Sequence, residues 1–92
     1  ETGNWKYYRD NGVLESEGMY KSGAKVGEWK VYHANGNLKS VGAFVNDEMD
    51  GVWTYYHENG TVQSTGSYVN SKKTGRWNNY DENGELTSSR LH

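Results

Sequence analysis

The chain has no cysteine, no proline and no isoleucine. Without cysteine there is no disulfide and no thiolate nucleophile, and the redox compartment is left open. Without proline, strands can run uninterrupted. Leu, Val and Phe together number 13 of 92 residues, too few for a thick aliphatic core. No apolar run approaches the roughly 18 residues of a membrane span. No helical period appears, and there is neither a signal peptide nor an initiator methionine, so the chain reads as a processed product or an excised piece. Strong charge is missing as well. The net charge is −2, with basic and acidic residues interspersed and only Lys72-Lys73, with Arg76 nearby, forming a basic group. Nucleic acid wants a basic face and anionic lipid a cluster of roughly four to eight cations, so neither is favoured as a partner. At this length the chain makes one small domain, 1–92.

What is present is repetition. Trp5, Trp29, Trp53 and Trp77 are the only tryptophans, and each lies 24 residues after the last. Tyr8, Tyr32, Tyr56 and Tyr80 keep the same step, as do the glycines of four Asn-Gly pairs, Gly12, Gly36, Gly60 and Gly84. A strict period of this length signals a repeat array. The repeats are 3–26, 27–50, 51–74 and an incomplete fourth, 75–92, with Glu1-Thr2 outside the pattern. The periodic rings argue for order, and for a thin sheet stapled by aromatics.

Each repeat reads as a β-hairpin. Trp5 to Arg9 has extended-backbone residues. Asn11-Gly12 is a strong hairpin signal, since both residues tolerate positive φ. Val13 to Lys21 returns, with Leu14, Ser16, Gly18 and Tyr20 alternating on one face. Ser22-Gly23, Asn46-Asp47 and Asn70-Ser71 then reverse the chain into the next repeat. The expected fold is all-β, a single-layer antiparallel meander of seven or eight strands. A two-residue Asn35-Gly36 turn sets Trp29 across from Gly42, Val31 across from Ser40 and His33 across from Leu38, with the indole covering the facing glycine. A longer turn with a glycine bulge would instead put Tyr32 against Leu38. The first register is preferred because it explains Gly18, Gly42 and Gly66. Trp29 and Tyr32, three apart, then point to opposite faces unless a bulge separates them. At the end of the array Arg90 stands where the frame has glycine and His92 where it has Tyr or Phe. Charge at the tip of a last strand guards an exposed edge.

The stretch Gly27-Glu28-Trp29-Lys30-Val31-Tyr32, followed by Asn35-Gly36, Leu38 and Gly42-Ala43-Phe44, resembles a MORN repeat of the bacterial-type variant, and the resemblance covers Gly3 to about Ser89. It implies one hairpin per repeat in an elongated, twisted sheet. It also implies non-enzymatic roles: scaffolding, protein interaction, dimerisation, lipid binding, and in some bacterial proteins an antitoxin-like part. It supplies no active-site motif.

The residues themselves carry little chemistry. His33 and His57 share a frame position, but one strand lies between them, which sets them roughly 10 Å apart, too far for a zinc ion held about 2 Å from each ligand. Arg9 and Asp81 fill the other two such positions. These histidines are expected as solvated hairpin tips, with no metal and no cofactor. Ser16, Ser40, Ser64 and Ser88 recur in every repeat, as a small neighbour to rings does and a nucleophile does not. Glu58 and Glu82 are close enough for a carboxylate pair but sit at exposed turns, where no pKa tuning is expected. No catalytic residue is assigned. The candidate interaction residues are Tyr7 and Tyr55, in a frame position that also accepts Val31 and Asn79, together with Trp5. The expected function is a non-catalytic scaffold with a protein partner. The alternatives are a glycan surface on Tyr7 and Tyr55, an antitoxin-like neutralising partner, and self-association through the uncovered first strand.

Overall fold

The computed structural model describes residues 2–92; Glu1, read above as outside the repeat, lies outside them. Eight strands follow one another in space as they do in sequence: β1 (Thr2–Tyr8), β2 (Leu14–Lys21), β3 (Ala24–Tyr32), β4 (Leu38–Val45), β5 (Glu48–Tyr56), β6 (Val62–Val69), β7 (Lys72–Tyr80) and β8 (Leu86–Leu91). All neighbours are antiparallel. The slab measures 41 × 32 × 13 Å, so a single layer of backbone is covered only by its own side chains. β1 begins earlier than the aromatic run suggested, and Arg9 has left it for the turn.

Both sequence registers occur within one hairpin. Trp29 pairs with Gly42 and Val31 with Ser40, but Tyr32 pairs with Leu38. The expected His33–Leu38 pair does not form, because the turn is longer than two residues. The Gly36 N–H bonds to the His33 carbonyl and the His33 N–H to the Asn37 carbonyl. Gly36 alone takes positive φ, 92°, and the Asn35 side chain accepts the Asn37 N–H at 2.9 Å. This is an ordinary turn closed by a glycine bulge, with asparagine acting as a local acceptor. Lys39 is then the extra residue that returns the body of the hairpin to the Trp29–Gly42 register. The primed geometry, with positive φ at both central residues, belongs to the other turns: Ser22-Gly23, Asn46-Asp47 and Asn70-Ser71. Trp29 and Tyr32 do face opposite ways, so both faces carry aromatics.

The covering of glycine is displaced by one hairpin from expectation. A methyl group placed on Gly18 would fall inside the Trp29 indole, on Gly42 inside that of Trp53, and on Gly66 inside that of Trp77. Trp29, Trp53 and Trp77 thus lie on the glycine of the preceding repeat, although Trp29 and Trp53 face across the hairpin the glycine of their own repeat and Trp77 faces Arg90. The cause is a bulge between repeats: Glu17 pairs with Lys30 but Met19 with Val26, leaving Gly27, Glu28 and Trp29 opposite Gly18 alone. Gly27, with φ of 69°, makes the bend. The Trp29 indole N–H donates to the Met19 carbonyl at 3.1 Å, that of Trp53 to Ala43 at 3.1 Å and that of Trp77 to Ser67 at 3.0 Å.

Because cover comes from the preceding repeat, Trp77 in the last repeat is as buried (3% exposed) as Trp29 and Trp53. A repeat on both sides, which Trp29 and Trp53 have, is therefore not needed for burial. Trp5, the first of the four, is 51% exposed. Aromatic rings two residues beyond each glycine close the stack edge-on: Tyr20 on Trp29, Phe44 on Trp53 and Tyr68 on Trp77, with centroids 5.1, 5.1 and 5.0 Å apart. Lys25 lies over Trp29 and Lys73 over Trp77. The core is this line of rings along one face.

Candidate functional site

The aromatic face carries a second line of residues beside the tryptophans. Tyr7, Ser16, Val31, Ser40, Tyr55, Ser64, Asn79 and Ser88 stand opposite one another strand by strand across the whole sheet. Serine alternates with a larger residue, so it does provide the small neighbour beside the rings. Tyr7 shares a hydroxyl–hydroxyl hydrogen bond with Tyr20 at 3.3 Å, and Tyr55 one with Tyr68 at 3.1 Å. In the second repeat the two corresponding places hold Val31 and Phe44, and both hydroxyls are gone together.

The missing ring leaves a notch. An open depression of about 490 Å³ lies over Val31, walled by Tyr7 and Tyr20 on one side and by Trp53 and Tyr55 on the other. Ser40 is 7% exposed on its floor, and its hydroxyl is not engaged by another of the described side chains. Ser16, Trp29, Phe44, Met49, Lys25 and Glu15 complete the lining. The lining is mostly apolar and aromatic, with Ser40 its buried hydroxyl and a charge of each sign.

The two tyrosines selected from sequence border this notch but differ in kind. Tyr7 is exposed and roughly parallel to Trp5, 6.2 Å away. Tyr55 is half-buried and packs between Trp53 and Trp77. Burial, then the hydrogen bond to Tyr68, raises the Tyr55 phenol well above its ordinary range. Trp5 lies at the sheet edge on the same face. The notch itself escaped sequence reasoning. Its signal was the paired loss of tyrosine at Val31 and Phe44, which becomes meaningful only once the two hydroxyls are known to meet.

The hairpin tips form a third line. Arg9 donates to the Tyr32 carbonyl at 2.9 Å, while His33 Nε2 bonds to the Tyr56 carbonyl at 2.8 Å and His57 Nε2 to the Tyr80 carbonyl at 2.9 Å. The histidines are therefore not solvated tips as expected. They are half-buried donors that tie each repeat to the next. Asp81, the fourth member, can only accept when ionised, and it turns back to bond the N–H groups of Asn83 and Glu85. No group of three or more His, Cys, Asp or Glu side chains suited to a metal occurs among the described residues. On the opposite face Tyr32 donates to Glu17 at 2.5 Å, and this bond, with some burial, pushes its phenol up to about 12.

The family model described as MORN repeat variant matches residues 1–22, 25–46 and 49–70, most of the chain. The chain belongs to the MORN repeat variant family. No curated protein and no solved structure shows significant similarity to it. MORN repeats are non-enzymatic modules that serve as scaffolds for interaction with proteins or membranes. The matched segments stop before the fourth MORN-like copy, the one that carries Arg90 and His92, yet β7 and β8 still pair as a hairpin.

Proposed function

We propose that the chain is a non-catalytic protein-interaction module whose aromatic face takes an aromatic side chain of a partner protein into the notch over Val31. The observation that carries this reading is the gap itself: between the rings of Tyr7 and Tyr55 the row holds Val31, and a depression lies over it. Such a pocket, lined mostly by apolar and aromatic side chains with a few polar groups, resembles those that hold the buried anchors of protein interfaces. A sugar needs an open aromatic face. Tyr55 packs between two indoles and only Tyr7 stands free, which favours protein over glycan. A toxin-neutralising role would be one case of the same binding and rests on no separate feature of the surface.

The test is selection of a displayed peptide library on the immobilised protein, followed by titration of the enriched peptides. Peptides anchored by Tyr, Phe or Trp are expected. Val31→Tyr, which restores the residue of neighbouring repeats, should abolish their binding without loss of stability. Undiminished binding to Val31→Tyr, or retention of glycans and no peptides on parallel arrays, would refute the reading.

A further inference from the structure

The notch over Val31 carries charge at its rim, and the two charges are not equivalent. Glu15 follows the Asn11-Gly12 turn and Lys25 the Ser22-Gly23 turn, so they line opposite ends of the depression. Glu15 is already matched, with Arg9 at 3.6 Å. Lys25 is not. Its ammonium lies 5.0 Å from the Trp29 ring centre and 5.1 Å from that of Phe44. No carboxylate among the described residues forms an ion pair with it. Asp47, in the next turn along that side, accepts the Lys25 backbone N–H at 2.7 Å.

The fold itself does not require this cation. The matching residue of the next repeat is Met49, which also lines the notch. Lys25 pairs with Tyr20 as Met49 pairs with Phe44. The backbone N–H of each is held by a side chain of the following turn, Asp47 for Lys25 and Ser71 for Met49. The third member, Lys73, lies over Trp77 and lines no part of the notch. Lys25 alone therefore sets an unmatched positive charge on the rim. Resting on two aromatic rings, it keeps its charge and gives up some of its freedom. An anion that meets it there loses less entropy in ordering the pair. The floor, by contrast, holds the neutral hydroxyl of Ser40. An anion at the tip of an inserted ring would be carried away from water to a place without a cation. The charge that suits this site stands beside the ring.

We infer that the notch selects, among aromatic anchors, those with an Asp or Glu next to them in the partner's sequence, and that Lys25 pairs with that carboxylate. This rests on the notch being the anchor site and adds the partner's charge. A basic neighbour gains nothing at the other end, where Arg9 already matches Glu15.

The probes are capped peptides Gly-Glu-Phe-Glu-Gly, and the same peptide with Gln or with Lys in place of both Glu. A Glu on each side serves either chain direction. Titration into isotope-labelled protein, followed by NMR, gives each Kd. Wild type should bind the Glu peptide about fivefold more tightly than the Gln peptide at low salt, as a well-placed surface ion pair does, and the Lys peptide most weakly. The gap should narrow as salt is added. Lys25→Met, which installs the residue found at position 49, should bind the Glu and Gln peptides alike, with the affinity of wild type for Gln. Lys73→Met should keep the wild-type preference. The salt dependence and the three-peptide comparison on wild type keep the test open if Lys25→Met does not fold. Equal binding of the Glu and Gln peptides by wild type would overturn the inference, as would a preference that survives Lys25→Met. If Val31→Tyr still blocks the Phe peptides in that case, the anchor site stands and only its charge selectivity falls. Phe peptides that do not bind at all, or bind Val31→Tyr equally well, would remove both.

Discussion

The indole of Trp53 lies on Gly42, eleven residues before it in sequence, and not on Gly66, the residue it faces across its own hairpin. The repeat of sequence and the unit of packing are therefore out of step. Each hairpin is closed by its successor, and stability passes along the chain through the line of tryptophans.

Backward docking predicts which residue pairs couple. Gly42→Ala should destabilise strongly, since its methyl has no room beneath Trp53. Combined with Trp53→Ala, the loss should be clearly less than the sum of the two. Gly66→Ala with Trp53→Ala should couple much less than the Gly42 pair, because the Gly66 methyl would meet Trp77 and not Trp53. Urea denaturation of the singles and doubles measures both cycles. Coupling to Gly66 in place of Gly42 would contradict the packing.

Position in the array should not protect Trp77. Trp77→Ala is expected to cost about 3 to 5 kcal/mol, the range for large buried aromatics, as should Trp29→Ala. Trp5→Ala, at a half-exposed site, should cost well under half as much. Equal losses at Trp5 and Trp77 would count against cover from the preceding repeat.

The turns give a third expectation. Gly36→Val forces a β-branched residue to φ of 92° and should cost on the order of 1 to 3 kcal/mol. Asn35→Ala removes one side-chain acceptor and should cost about 1 kcal/mol. Gly23→Asn should be nearly neutral, because Asp47 and Ser71 already hold positive φ at the matching place. Thermal melts of the three variants would rank them.

Alkaline pH should loosen the fold through its tyrosines. The phenols of Tyr32, Tyr55 and Tyr20 are all raised above the ordinary 10.0, Tyr32 to about 12. The folded chain holds these protons when the unfolded chain has released them. Their contribution is therefore complete below pH 10 and falls as pH rises, for Tyr32 between about 10 and 12. Melting temperature should drop over that window, and less steeply in Tyr32→Phe. An identical slope in the variant would remove Tyr32 as a cause.

The number of repeats, the hairpin as their unit, the antiparallel order and the spacing of the rings were all determined by the sequence itself. A period of 24 residues with a turn signal in each half leaves one architecture for so thin a chain. Local chemistry also placed Trp29 across from Gly42 and Val31 across from Ser40. Only the tertiary structure decided what lies on what. The Gly27 bulge carries Trp29 onto Gly18, and a bulge is a property of two paired strands that neither strand specifies alone. The same is true of His33, whose bond to Tyr56 spans two repeats, and of the notch, which exists because Tyr7, Val31 and Tyr55 become neighbours across strands 24 residues apart. Sequence periodicity records which positions are equivalent. Which equivalent positions touch is settled by register, twist and bulge, and these appear only when the strands pair.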